Sequence, residues 1–572
     1  MSAPSEQHLA GRVLPWEWLA LGGAALLFVA VRLPLLRGDG PLLGWNSDAA
    51  IFGLMARAMR RGEELPLFFW GQSYMGPLTS YLGVVVSLLR GAVDPLTIRL
   101  AAMLEVLAGL VFSWLTLRMV FDRTVAIAVA FWLALGPAFY FHFTIAPIGA
   151  EQAFCLGSLI LWFAVRCLVR GGFRLRDWLV FGLLAGLGWW INQSVIFVLA
   201  APLVVILLAS PFWRQLRAAD FEPLPRATRI LATILYAFFG LDLLLGLLSE
   251  LGLRVPAFFL FDPVLEPVLA LAVLHISVFV GRSARRKRVV ADAIRSPRGW
   301  LLPLASLAAG ALAGYAPVLI GGWLHVFPDS YGLSVPAMPL ATVPSHLAFI
   351  VRSDFWQLVG AEPTPAGLIC ALCLVGPLLA ALACRRDALR DLLLLRWRPY
   401  GPRAVFAIAI LLSILFYAGS QRAHPGSMRY IVCALPLLYG VAADQLRRLR
   451  GSVALPLVAT AVTLIFMAGR VAQAREVAAA RAEAYDIFPG AFDPRPVLAT
   501  IEERGYTVCY ANYWIAYKLQ WLSGERVRFI VWRGYDRNRP ESRRLKALPV
   551  RKCYVDHQGQ VSEWRPDAPP PP

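Results

Sequence analysis

The apolar residues of this chain fall in long unbroken blocks, and nothing else about it restricts the fold as strongly. Trp16 to Leu36, Ile98 to Leu117 and Trp300 to Ile320 are such blocks. Each is roughly 20 residues long, the length a helix needs to cross about 30 Å of hydrocarbon. Backbone amides find no partner in lipid, so these segments must close their hydrogen bonds internally, as helices. The alternating pattern of a membrane β-barrel is absent. Composition agrees: 58% of residues are hydrophobic and 16% are charged, where a soluble domain carries about 25% charged. The expected fold class is an all-α polytopic membrane protein with interfacial helices in its first external loop and a small α/β C-terminal unit.

About thirteen spans are predicted, at 15–36, 98–118, 124–142, 150–168, 178–191, 194–210, 230–249, 264–281, 300–320, 366–384, 404–420, 430–446 and 453–469. Asn192-Gln193-Ser194 is a tight turn between the fifth and sixth. The first span is too long for a cleavable signal peptide, and no small-residue cleavage site follows it. The formal net charge is +19, but its distribution excludes a nucleic-acid partner. The basic residues, nearly all Arg, cluster in every second loop: Arg118 and Arg123, Arg170 to Arg176, Arg214 to Arg229, Arg282 to Arg288, Arg385 to Arg403, Arg447 to Arg450. That is a positive-inside pattern. It predicts the N-terminus in the cytoplasm and the C-terminus outside; the expected location is a bacterial inner (plasma) membrane.

The expected organisation is a transmembrane domain over 1–469, a small extracytoplasmic α/β unit over 470–565 and a disordered Pro-rich tail over 566–572. Within the first lie a long external loop at 37–97 and a second at 321–365. Ala472 to Tyr485 reads as a helix, and strands are expected at Thr507 to Ala511, Val527 to Trp532 and Arg551 to Val555. Cys509 and Cys553 are the only cysteines outside the predicted spans and their ends. In an oxidising compartment they are expected to form a disulfide, the alternative being two buried free thiols on strands that are not neighbours. Cys370-x-x-Cys373 lies in a span with no third ligand near it, and Cys155, Cys167, Cys384 and Cys433 read as small buried residues.

The first loop carries the most information. Ser47 or Asp48 can cap a helix in which Ile51, Leu54, Met55, Ala58 and Met59 form an apolar stripe. Arg57, Arg60 and Arg61 take its polar side, as in a helix lying in the interface plane. Phe69 to Leu82 then turns on Gly71 and Gly76, with Gln72 and Tyr74 between them. On spacing alone Asp48 is a helix cap. Glu151 opens a span at the external face, either for a purpose or because a helix N-terminus favours a carboxylate. Glu105 sits inside the second span and must face the bundle.

These segments resemble the GT-C superfamily of membrane glycosyltransferases, which includes protein O-mannosyltransferases and lipid A aminoarabinose transferases (glycosyltransferase family 39-like). The residues that carry the likeness are Ser47-Asp48, Gly71 to Gly76, Asp94 to Leu100, Gly182 to Trp190, Arg429 to Pro436, Ala511 to Lys518 and Ser523 to Arg526. The family often has a second acid where this chain has Ala49. The resemblance implies transfer of a sugar from a polyprenyl-phosphate carrier to an extracytoplasmic acceptor (glycan, lipid or protein hydroxyl), by a single inverting displacement. It implies Asp48 as general base and Glu151 as the second acid. It also implies a site for the lipid phosphate and substrate drawn from Arg422, His424, Arg429, Tyr430, Gln72, Tyr74 and Glu105. Arg429 and Arg422 suit phosphate through the planar guanidinium fork, or else serve as interfacial anchors.

No Walker-type loop or nucleotide fingerprint is present, which fits a donor already activated on a lipid. No metal ligand set is evident, and the sequence demands no cofactor; a divalent metal is left open. Membrane lipids are the remaining expected partners. Two other readings stand beside the transferase. One is a lipid or solute transporter or flippase, although related halves with broken, charged mid-membrane helices are not evident. The other is a non-catalytic membrane assembly protein that has lost its second acid at Ala49.

Overall fold

The computed structural model describes residues 13–36, 47–72, 75–137, 147–170, 172–209, 225–250, 283–323, 428–448, 454–479, 493–533 and 536–565, with a few isolated positions between them. The predicted span at 366–384, most of those at 264–281 and 404–420, nearly all of the second external loop and the tail at 566–572 lie outside these residues.

Helices dominate. α1 (Pro15–Leu36), α4 (Pro95–Val120) and α6 (Ala150–Val169) are long and apolar enough to cross a membrane. α1 leaves Trp16, Trp18, Leu19, Leu26 and Leu33 on the outside of the fold. A row of large apolar side chains facing outward needs lipid to cover it, and the chain is a membrane protein. Between and after these come α2 (Ser47–Arg60), α3 (Leu78–Arg90), α5 (Arg123–Leu135), α7 (Leu175–Ile191) and α8 (Ile196–Ala209). α9 (Arg226–Glu250), α10 (Ala284–Arg295), α11 (Arg298–Gly314) and α12 (Ala316–Trp323) follow.

The chain marks its own helix ends. Asp94 caps α4, accepting from the Thr97 amide at 2.8 Å, and Asp122 caps α5 through Val125 at 2.9 Å. The span expected at 124–142 is cut short because Gly136, at φ 65°, ends α5 after Leu135. The expected 300–320 span is two helices that meet at Tyr315. The span at 430–446 opens with a 3-10 turn, Met428–Ala434, before α13 (Leu435–Arg448), because Pro436 is tolerated only in a first turn. α14 (Ala454–Ala479) runs through the predicted 453–469 span and on past the expected boundary at 470. A lone Gly469, without capping residues around it, does not stop a helix.

α7 and α11 pack closest. Gly182 and Gly186 face Gly310 and Gly314, and a Cβ at any of the four would fall on a backbone carbonyl of the other helix. Two small-xxx-small ridges therefore interlock backbone to backbone. The main bundle core collects Phe28, Trp114, Trp132, Tyr439 and Phe466 from α1, α4, α5, α13 and α14.

The two ends of this bundle differ. At one, Glu17 at the start of α1 takes Arg118 (2.5 Å) and Arg123 (3.0 Å), and Arg447 at the end of α13 meets Asp122 (2.5 Å). All three segments were predicted on the cytoplasmic side. At the other end the segments predicted outside are laced together. The Gly76 amide donates to the Ile191 carbonyl at 2.9 Å, Asn192 Nδ2 to the Gly149 carbonyl at 2.7 Å, and Trp190 Nε1 to the Leu67 carbonyl at 2.8 Å.

The C-terminal part is α15 (Pro494–Glu503), β1 (Val508–Asn512), α16 (Tyr513–Leu522), β2 (Arg528–Arg533), α17 (Arg539–Ala547), β3 (Lys552–Val555) and β4 (Val561–Glu563). The sheet order is β2-β1-β3-β4, parallel except for β4. The three expected strands are present; β4 and the three helices were not foreseen. Cys509 and Cys553 face each other across β1 and β3 with Cα atoms 4.4 Å apart, and their sulfurs are joined in a disulfide. The separation lies within the range a disulfide bridge requires.

α2 keeps Arg60 and Arg61 exposed on its polar side, and its apolar stripe packs on protein. Ala49, Ile51, Phe52, Leu54, Met55 and Ala56 are buried in a second core with Tyr513, Ile515, Trp521, Phe529 and Val555 of the C-terminal unit. Small residues let the elements close in: a Cβ at Gly53 would meet the Trp521 indole at 2.6 Å. The first loop and the C-terminal unit thus form one packed body over the end of the bundle.

Candidate active site

Asp48 sits in the first turn of α2, 8% exposed, where that helix meets α16. Its carboxylate accepts a hydrogen bond from the Tyr513 hydroxyl, and the Ser47 hydroxyl donates to the Tyr513 carbonyl. Both side chains at the start of α2 are therefore turned to the C-terminal unit. Tyr513 is placed by the sheet: β1 ends at Asn512, whose side chain caps α16 through the Trp514 amide at 3.1 Å. The Tyr513 ring packs against Trp514 and Tyr517, with the Arg537 guanidinium 5.3 Å from its centre. Burial first, and the Asp48 charge second, hold the Tyr513 hydroxyl well above its ordinary range. It stays a proton donor at any physiological pH.

Arg537 also reaches the first loop, donating to the Gly71 carbonyl at 3.1 Å. Gly71 has φ 64°, and a Cβ there would strike the Arg537 backbone. That turn is closed by the Gln72 amide on the Phe69 carbonyl at 2.9 Å, and Gln72 is buried.

Glu151 lies in a second cluster. Its carboxylate accepts from the Gly149 amide at 2.9 Å and the Ile148 amide at 3.2 Å. Thr79 Oγ lies 3.2 Å from Glu151 and 3.1 Å from Glu105, and Gln152 Nε2 donates to the same hydroxyl at 2.9 Å. All four side chains are buried. A hydroxyl has one hydrogen to give, so it serves one carboxyl group at a time. Among the described residues no hydrogen bond or ion pair joins Glu151 to Asp48; they belong to neighbouring but separate clusters.

Arg429 and Tyr430 stand in the 3-10 turn Met428–Ala434. Three residues on, Cys433 donates through Sγ to the Ala153 carbonyl at 3.1 Å, so the turn packs beside α6 just below Glu151. Tyr74, Arg422 and His424 lie outside the described residues. Among the described residues no three His, Cys, Asp or Glu side chains converge as a metal set would. Sequence reasoning missed Tyr513, Thr79, Gln152 and Arg537 as parts of these clusters. For Tyr513 the signals were the likeness at Ala511 to Lys518 and a helix-start pattern at Asn512, neither of which hints at its distant partner.

No protein-family model matches the chain, and no curated protein does. Among solved structures it is similar to the archaeal oligosaccharyltransferase AglB from Archaeoglobus fulgidus, in complex with an inhibitory peptide and a dolichol-phosphate, at 15% identity and a TM-score of 0.44. That match covers 90% of this chain and 64% of AglB, so the chain spans less than two thirds of AglB's length. It is also similar to ArnT from Cupriavidus metallidurans bound to undecaprenyl phosphate, at 12% identity and a TM-score of 0.48, over 94% of this chain and 93% of that one. Both are likenesses of layout at low identity.

Proposed function

We propose that the chain is a membrane glycosyltransferase that moves a sugar from a polyprenyl-phosphate carrier to a hydroxyl on the extracytoplasmic side. The observation that carries this reading is Asp48. It is a carboxylate at the start of a helix that follows the first span, nearly buried, and held by a hydroxyl from a separate unit. Burial of an acid needs a reason, and a fixed carboxylate at the end of the bundle suits a general base.

In the proposed reaction Asp48 accepts the proton of the acceptor hydroxyl as that oxygen attacks the anomeric carbon. The new C–O bond forms as the bond from that carbon to the phosphate oxygen breaks. The carrier leaves as polyprenyl phosphate with the bonding pair, and the anomeric centre inverts. Arg429, in the turn beside α6, is assigned to the departing phosphate, where charge grows in the transition state. Glu151 fixes the external end of α6 through the Ile148 and Gly149 amides, and we assign it a supporting part as second acid. Glu105, beside another carboxyl group, suits that supporting cluster better than a phosphate.

Protein reconstituted with a radiolabelled polyprenyl-phosphate sugar tests the reading. Asp48→Asn is expected to insert and fold normally and to lose roughly 10²-fold in transfer. Turnover by the Asn variant near that of the parent would sink the assignment of Asp48.

A further inference from the structure

We propose that the recess between the C-terminal end of α2 and the α3–α4 turn is a binding site for the phosphate of an anionic membrane lipid. It has a volume of about 330 Å³ and is lined by Arg57, Arg60, Arg61, Gly91, Ala92 and Val93. By helix rise it lies about 18 Å along α2 from Asp48. It is a second site, and it does not rest on the transferase reading.

The arginines are set in place before any ligand arrives. Arg57 donates to the carbonyls of Val93 and Trp521, each at 3.1 Å, and its guanidinium lies 3.5 Å over the Trp521 ring. Arg60 donates to the Ser87 carbonyl at 2.9 Å. A guanidinium has five N–H donors. Among the described residues these two spend theirs on neutral carbonyls, and several remain for a phosphate fork. Burial, partly offset by the Glu525 charge, pushes Arg57 down to about 10, so it stays cationic. The acids nearby take up part of this charge, on Arg61 and Arg57, and among the described residues Arg60 is paired with no acid. Glu525 and Glu63 both hold Arg61, at 2.9 and 2.5 Å, and Asp94 pairs with Arg90 at 2.9 Å. Glu525 stands 3.9 Å from Arg57.

Two features select a lipid over a free anion. Val93 and Asp94 immediately precede α4, a helix long enough to span a membrane, so the recess is at headgroup depth. The last turns of α3, leading into Gly91, expose Val85, Leu88 and Leu89, the last at 89%. An apolar shelf beside a basic recess fits an acyl chain beside its phosphate.

The test measures thermal stability and retained lipid for the full-length protein in three settings. These are vesicles of phosphatidylcholine, the same vesicles doped with phosphatidylglycerol, and phosphatidylcholine vesicles with added inorganic phosphate. Phosphatidylglycerol is expected to stabilise the protein and to be retained. Arg60→Gln, whose side chain is exposed, should lower retention about fivefold, and Arg57→Gln at least as much. Arg288→Gln, in the basic α10, should leave it unchanged. A response to inorganic phosphate equal to that of phosphatidylglycerol would overturn the lipid as occupant. Equal retention by Arg60→Gln, Arg288→Gln and the parent would overturn the site, whatever becomes of Arg57→Gln.

Discussion

At the scale of single residues, the bond between Tyr513 and Asp48 spans 465 positions of sequence. A hydrogen bond to a charged group contributes about 1.5–3 kcal/mol, so Tyr513→Phe should lower kcat by roughly tenfold or more. The KM for the donor lipid should stay unchanged, because the ring and its packing remain. In an Asp48→Asn background the same change should cost nothing further; an additive loss would mean that Tyr513 acts through packing alone. A second pair of substitutions separates the two carboxyl groups at Thr79. Glu105→Gln supplies an amide donor where two acids compete for one hydroxyl, and the thermal midpoint should hold or rise. Glu151→Ala removes the acceptor for two backbone amides at the start of α6, and should cost about 1 kcal/mol, as loss of a helix cap does. A fall for Glu105→Gln as large as that for Glu151→Ala would contradict this account. The place of Asp48 at the start of a helix after a span was legible as a local pattern, while its proposed role came only from the resemblance. Its contact with Tyr513 was not legible, since nothing local says that the end of β1 returns to the first loop.

At the scale of elements, α7 was legible from hydropathy, but its partner was not. Lipid is as apolar as leucine, so hydropathy does not say which span packs on which; close backbone approach does. The pattern that decides it, glycines four apart at 182 and 186 and again at 310 and 314, is plain once the two helices are seen together. Gly186→Val should abolish folded protein in a size-exclusion assay, since its Cβ would land on the Ala311 carbonyl. Gly299→Ala, with nothing within 4 Å of the added atom, should be silent. Recovery of normal amounts of the Val variant would mean that the helices separate freely. α2 was legible in part. Of the three arginines on its polar side, Arg60 and Arg61 are exposed, while Arg57 lies over Trp521. A long cationic side chain can cover apolar surface as well as face water.

At the scale of the whole molecule, the alternation of charge in the loops predicted which segments share an end, and the network at Glu17 with the lacing at Asn192 follows that grouping. The fine structure of the C-terminal unit was only partly readable, because short helices between parallel strands leave weak periodicity. The disulfide there makes a separate prediction. Peptides containing Cys509 and Cys553 should be recovered joined when the protein is digested without reductant. The double Ser variant should lose about 2–4 kcal/mol of stability. Free thiols in protein taken directly from its membrane would contradict the bond. The packing of α2 against α16 has one more consequence, which concerns the order of synthesis. Ser47 to Arg60 leave the ribosome early, but the surface that buries them, from Tyr513 to Val555, is made some 450 residues later. Until then the first loop is an unfinished half with apolar residues bare at the membrane surface. A ribosome that stalls before β1 therefore leaves the α2 side chains of the second core uncovered, a target for quality control.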